Sequence, residues 1–114
     1  MSEEEATKDF GADNIEVYMR EVTPLEVAIY KDNSKMAFMK LITHKKDGHE
    51  IVVGIHYFGP AAEEVVGGFA VAMKLGMTKQ DLDSVIGVHP SVSEDMFNMH
   101  ITKRSGKEFR KTSC

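Results

Sequence analysis

The chain has a single cysteine, Cys114, at its last position. One cysteine cannot close an intrachain disulfide. That excludes a disulfide-stapled secreted fold and points to a reducing compartment, so a cytoplasmic location is expected. Basic charge is also in deficit: 14 Lys and Arg stand against 18 Asp and Glu, for a net charge of −4. No positive field is left for nucleic acid or for an anionic membrane surface. No apolar run approaches the roughly 20 residues that a membrane span needs. The opening "MSEEEATKD" is acidic and polar, unlike a signal peptide. Chemical motifs are absent too. There is no GxGxxG after a strand, no GxxxxGK[ST] and no CxxC. The five histidines show no HxH or HxxxH spacing, so no metal site is expected. Alone, the chain is expected to bind no redox cofactor and to turn nothing over.

What remains is enough for one folded domain. A chain of 114 residues buries roughly two-thirds of its unfolded surface. The three-Glu run at residues 3–5 reads as a solvated helix start, and "FGADN" as the turn after it. "IEVYMREV" alternates, with Ile15, Val17 and Met19 on one face and Glu16 and Arg20 on the other, which predicts a half-buried strand. A short strand "LEVAIY" follows Pro24, then a loop "KDNSK". "KMAFMKLITHK" is a longer strand, and Asp47-Gly48 is a hairpin signal. "EIVVGIHYFG" is apolar on both faces, which predicts a central strand.

The period then becomes helical. Ala62, Val65, Val66, Phe69, Ala70 and Met73 form one face, with Pro60 at the start and Gly76 at the stop. Thr78 is placed to cap a helix "KQDLDSVI", and Ser91 with Glu94 has capping-box spacing for "VSEDMFNM". Gly67, Gly68 and Ala70 let another backbone approach, either the sheet or another subunit. The eight Met residues read as core filler. The ending "TKRSGKEFRKTSC" is basic, polar and expected to be mobile. The fold class is α+β, an antiparallel sheet of about four to five strands with helices packed on one face.

The stretch "IGVHPSVSE" carries the best candidate for chemistry. A neutral imidazole at His89 can take and give a proton near pH 7, and a carboxylate on its other nitrogen would fix the tautomer. Glu94 could be that carboxylate, with Pro90 stiffening the loop. Equally, Glu94 could serve only as a cap with Ser91, and His89 only as a turn residue. Spacing does not separate these readings. Cys114 could be a reactive terminal thiol or incidental.

The ordered stretches "SEEEA", "FGADNIEVY", "VVGIHYFGP", "EVVGGFAVAMKLG", "TKQDLDSVIGVHP" and "TKRSG" run along nearly the whole chain. Together they resemble the C-terminal interface domain of the FAD-dependent pyridine-nucleotide disulfide oxidoreductases, which include glutathione and thioredoxin reductases. The extended tail is similar to that of the large animal-type thioredoxin reductases, whose tail carries a Cys-Cys or Cys-selenocysteine pair. The resemblance implies several things. His89 would be the acid/base for the flavin-proximal disulfide of the partner subunit, and Glu94 would orient it. His89 and Pro90 would be this chain's contribution to the cofactor side of that site. Cys114 would be the first member of the tail pair. Residues 1–106 would form the dimerisation domain and residues 107–114 a flexible redox tail. The chain would be a piece of a longer homodimeric enzyme that uses FAD and NADPH and reduces thioredoxin, in the cytoplasm or the mitochondrion. Its ending at Cys114 would match a selenocysteine codon read as stop. A glutathione reductase relative, or a free-standing dimerisation module without activity, are the alternatives.

Overall fold

The computed structural model describes residues 1–24 and 36–110. Helix α1 (Glu3–Phe10) opens with a capping box: the Ser2 hydroxyl accepts from the Glu5 amide at 3.1 Å, and the Glu5 carboxylate accepts from the Ser2 amide at 2.7 Å. A 3₁₀ turn (Ala12–Asn14) leads into β1 (Ile15–Val22). Then come β2 (Ala37–Lys46) and β3 (His49–Phe58). The hairpin between them is the one Asp47-Gly48 signals. Both residues have positive φ, 51° and 80°, as a two-residue primed turn requires. Helices α2 (Ala62–Lys74), α3 (Lys79–Asp83) and α4 (Glu94–Phe97) complete the order. Gly76, with φ 84°, ends α2: its amide reaches the Met73 carbonyl, and the Met77 amide reaches that of Ala72. That double closure is what a helix-terminating glycine makes possible.

Three expectations are corrected here. The described residues form three strands in the order β1-β2-β3, not four to five; the segment "LEVAIY" and the loop after it lie outside the described residues. The central strand is β2, not "EIVVGIHYFG". β3 is apolar on both faces because both are covered, not because strands flank it on both sides. Val52 packs beside Met77 and Leu82 on one face, and Val53 packs with Ile42 and α1 on the other. Finally, the helices do not share one face. α1 puts the fully buried Ala6 against Ile15, Val17 and Ile42, while Met39, Leu41 and Val52 meet the later helices on the opposite side. Methionines do fill that core: Met39, Met77, Met96 and Met99 are buried in it.

The described part of the basic tail is held. The Met19 amide bonds the Ile101 carbonyl and the Glu21 amide that of Phe109, each at 3.0 Å, so residues 101–110 run along the outer edge of β1. Phe109 meets Phe38 edge-on. Glu3 belongs to this docking rather than to a merely solvated run: Lys103 and Lys40 each approach its carboxylate at 2.7 Å. The hydrogen bonds to Lys103 first, then Lys40, pull its pKa below the usual 4.5. A depressed carboxylate stabilises the fold above its unfolded pKa and loses that contribution as pH falls through the folded one. Glu3→Gln is therefore expected to lower stability at pH 7 and leave it unchanged well below pH 4 (roughly the carboxylate range). Denaturant titrations at the two pH values check this; an equal loss at both would show that the ion pairs contribute nothing.

Candidate active site

The site is a loop pinned at both ends by short helices. α3 is capped as expected: the Thr78 hydroxyl accepts from the Asp81 amide at 3.1 Å, and Asp81 accepts from the Thr78 amide at 2.8 Å. The helix stops at Asp83, earlier than "KQDLDSVI" suggested, because the Ser84 hydroxyl donates to the Asp81 carbonyl at 2.7 Å and ends the ladder. The chain beyond Ser84 is irregular and apolar yet open: Ile86 is 95% and Val88 77% exposed. The loop then turns at His89-Pro90, which is a cis peptide.

His89 Nδ1 lies 2.9 and 3.1 Å from the two Glu94 oxygens. An ionised carboxylate can only accept, so the proton of a neutral ring sits on Nδ1. Nε2 is then the nitrogen left to take up or release a proton, and it has no hydrogen-bond partner among the described residues. The two side chains differ in exposure, 73% for His89 against 19% for Glu94. The carboxylate is sheltered and the ring is presented outward.

Glu94 also takes part in a capping arrangement. Its amide donates to the Ser91 hydroxyl at 3.3 Å, and the Ser91 amide points at its carboxylate at 3.5 Å. The two roles that spacing left open, cap and carboxylate partner, therefore coexist on one residue. Ser93 rather than Ser91 precedes the first helical residue, and Ser93 makes no side-chain cap.

Gly87 is a residue that sequence reasoning passed over. A Cβ placed there would meet the Glu94 Cβ at 2.5 Å and its Cα at 2.9 Å. The loop thus lies directly on the helix turn that carries the carboxylate, and only glycine fits. The available signal was a glycine two residues before a His-Pro pair. Gly87→Ala is expected to push α4 away and to cost about 1–3 kcal/mol, the usual range for overpacking. Thermal unfolding checks the cost, and an unchanged midpoint would rule out the close approach.

Beside the loop, a groove of about 770 Å³ runs between α2 and the two short helices, walled by Gly68, Phe69, Ala72, Leu75, Leu82 and Phe97. The predicted inward face of α2 is half-buried at Ala62, Val65, Val66, Phe69 and Met73, whereas Ala70 is exposed. No α2 residue is fully buried. A Cβ at Gly67 or Gly68 would meet nothing within 4 Å, and Val71 and Leu75 are 61% and 84% exposed. Among the described residues no three of His, Cys, Asp or Glu converge to hold a metal ion, and no helix is long and apolar enough to cross a membrane. Cys114 lies outside the described residues.

The domain is thus an antiparallel sheet clad by helices, with an open apolar helix face and an outward His89 ring backed by a sheltered Glu94 carboxylate. Residues 1–100 match the family described as pyridine nucleotide-disulphide oxidoreductase, dimerisation domain. The chain is 44% identical over 114 residues to "Thioredoxin reductase SEP1" of Emiliania huxleyi. It is 40% identical over 114 residues to "Thioredoxin reductase 2, mitochondrial" of Drosophila melanogaster. All of the chain is covered in both cases, but it spans only 23% and 22% of the lengths of those relatives. The chain belongs to the pyridine nucleotide-disulphide oxidoreductase dimerisation-domain family.

Proposed function

We propose that this chain is the dimerisation domain of an NADPH-dependent thioredoxin reductase. In this reading His89 is the acid/base for the flavin-proximal disulfide of the partner subunit, and Glu94 orients it. The observation that carries the proposal is the outward imidazole whose Nδ1 is held at 2.9 Å by a sheltered carboxylate. Reducing a disulfide leaves thiolates that need protons, and Nε2 is free to supply or accept one as thiol and thiolate exchange. Glu94, by accepting from Nδ1–H, leaves Nε2 as the nitrogen that exchanges the proton.

The described residues do not fit a nucleotide pyrophosphate. There is no glycine-rich strand-to-helix turn, and the first turn of α2 carries Glu63 and Glu64, which repel an anion. FAD and NADPH would therefore be held by other parts of the full-length enzyme, where a bound flavin would supply the electrons for disulfide reduction. His89 and Pro90 would lie at the rim of that site, flanked by the exposed Ile86 and Val88.

The open face of α2 supports a homodimer. Its Gly67 and Gly68 do not pack on the sheet, which favours another subunit as the backbone they admit. Residues 107–114 act as the redox tail, with Cys114 as its first sulfur and thioredoxin as the disulfide substrate. Both relatives are named thioredoxin reductases, which favours this over the glutathione reductase reading. The location proposed is cytoplasmic or mitochondrial. A pair of variants in the full-length enzyme tests the assignment. His89→Ala is expected to slow exchange at the flavin-proximal disulfide, and Cys114→Ser to spare that step while stopping thioredoxin reduction. Normal thioredoxin turnover in either variant removes that residue from the mechanism.

A further inference from the structure

We infer that Arg20, on β1, is a positioning residue for the His89–Glu94 pair. α4, which carries Glu94, is a single turn of four residues whose preceding Ser93 contributes no cap. A helix that short has no stability of its own. Burial of Met96 fixes its depth in the core, at 1% exposure. Phe97 packs on Phe69 beside it, but such apolar contacts are non-directional, whereas hydrogen bonds are directional.

The Arg20 guanidinium supplies that direction. Its Nε donates to Asp95 Oδ1 at 2.8 Å, and its Nη2 lies 2.6 Å from the same oxygen. Its Nη1 donates to the Asn98 carbonyl at 2.9 Å. One planar group thus holds both ends of the turn. The Asn98 side-chain amide then donates to the Glu94 carbonyl at 3.0 Å, which ties the far end back to the residue that matters. The side chains of Arg20 and Asp95 are only 17% and 10% exposed, so solvent screens the pair weakly. The base of the clamp is rigid: Arg20 pairs across the sheet with the fully buried Met39. Arg20 touches neither His89 nor Glu94 in these bonds and acts through the seating of α4.

The inference rests on the His89–Glu94 reading above, and the test separates the two. The 114-residue chain is labelled with ¹⁵N-histidine. Long-range ¹H–¹⁵N correlation then reads which His89 nitrogen carries the proton, at a pH above the ordinary imidazole range of about 6.5. The parent is expected to show an excess of the Nδ1–H tautomer. Glu94→Ala and Arg20→Met are both expected to lose that excess, and Arg20→Lys to recover part of it through a single point charge. If Arg20→Met keeps the parent tautomer while Glu94→Ala loses it, the positioning role is overturned and the His–Glu pair stands. If Glu94→Ala keeps the parent tautomer, the pair itself is overturned, and the role of Arg20 with it. Should Arg20→Met fail to fold, the isosteric Asp95→Asn decides the same question by the same readout.

Discussion

Replacing His89 by Ala in the full-length enzyme is expected to slow thiol–disulfide exchange by about 10²–10⁴, the usual worth of a positioned acid/base. Flavin content should not change. His89 lies on an exposed loop, makes no contact on which the core depends, and is 73% exposed, so its removal leaves no cavity. Glu94→Ala is expected to cost less in rate, because the ring survives and only its orientation and tautomer are released. It should cost more in stability, since the Glu94 carboxylate also faces the Ser91 amide at 3.5 Å. That crossing of effects distinguishes a proton carrier from its partner: the larger rate effect belongs to His89 and the larger folding effect to Glu94. Stopped-flow reduction together with thermal unfolding of the two variants reads both. A His89→Ala enzyme with normal exchange would contradict the assignment.

Gly68→Leu is expected to act with opposite sign on folding and on association. In the separate chain a Cβ at Gly68 meets nothing within 4 Å. Removing a glycine from a helix interior gains roughly 0.5–1 kcal/mol. In a dimer the same side chain would fill the groove beside Leu75 and keep the partner out. Overpacking of about 1–3 kcal/mol corresponds to a roughly 5- to 150-fold rise in Kd. Sedimentation across a concentration series, paired with unfolding of the monomer, measures the two effects separately. Association as tight as that of the parent would show that the α2 face is not where subunits meet.

Much of this was legible because local physics decided it. Asp47-Gly48 can form only a tight primed turn, so the hairpin was readable from two residues. Ile15, Val17 and Met19 had to share a face because strands alternate. Thr78 before Lys79 and Gly76 after Lys74 marked helix ends through bonds made within one turn. The strand order was not legible: apolarity on both faces of β3 records burial on both sides, which helices satisfy as well as strands do. Nor was the placement of α1, since nothing within "SEEEATKDF" says which side of the sheet its Ala6 will find. At the site, the His89–Glu94 spacing could be read, but not whether Glu94 capped or oriented. In the structure the Glu94 carboxylate faces both His89 Nδ1 at 2.9 Å and the Ser91 amide at 3.5 Å. Arg20 was visible only as a polar residue on an alternating strand. Its bond to Asp95 spans 75 positions, and no local pattern announces such a contact.

The central claim, that His89 serves the disulfide of the other subunit, is tested most directly by a heterodimer of the full-length enzyme. One subunit carries His89→Ala, and the other lacks its own flavin-proximal disulfide. Each parental homodimer is expected to be nearly inactive in disulfide exchange. If His89 acts across the interface, the heterodimer regains one complete site and about half the activity of the unmodified dimer, by the additivity expected of independent sites. If His89 acts within its own subunit, the heterodimer has no complete site and stays as inactive as its parents, which would contradict the account.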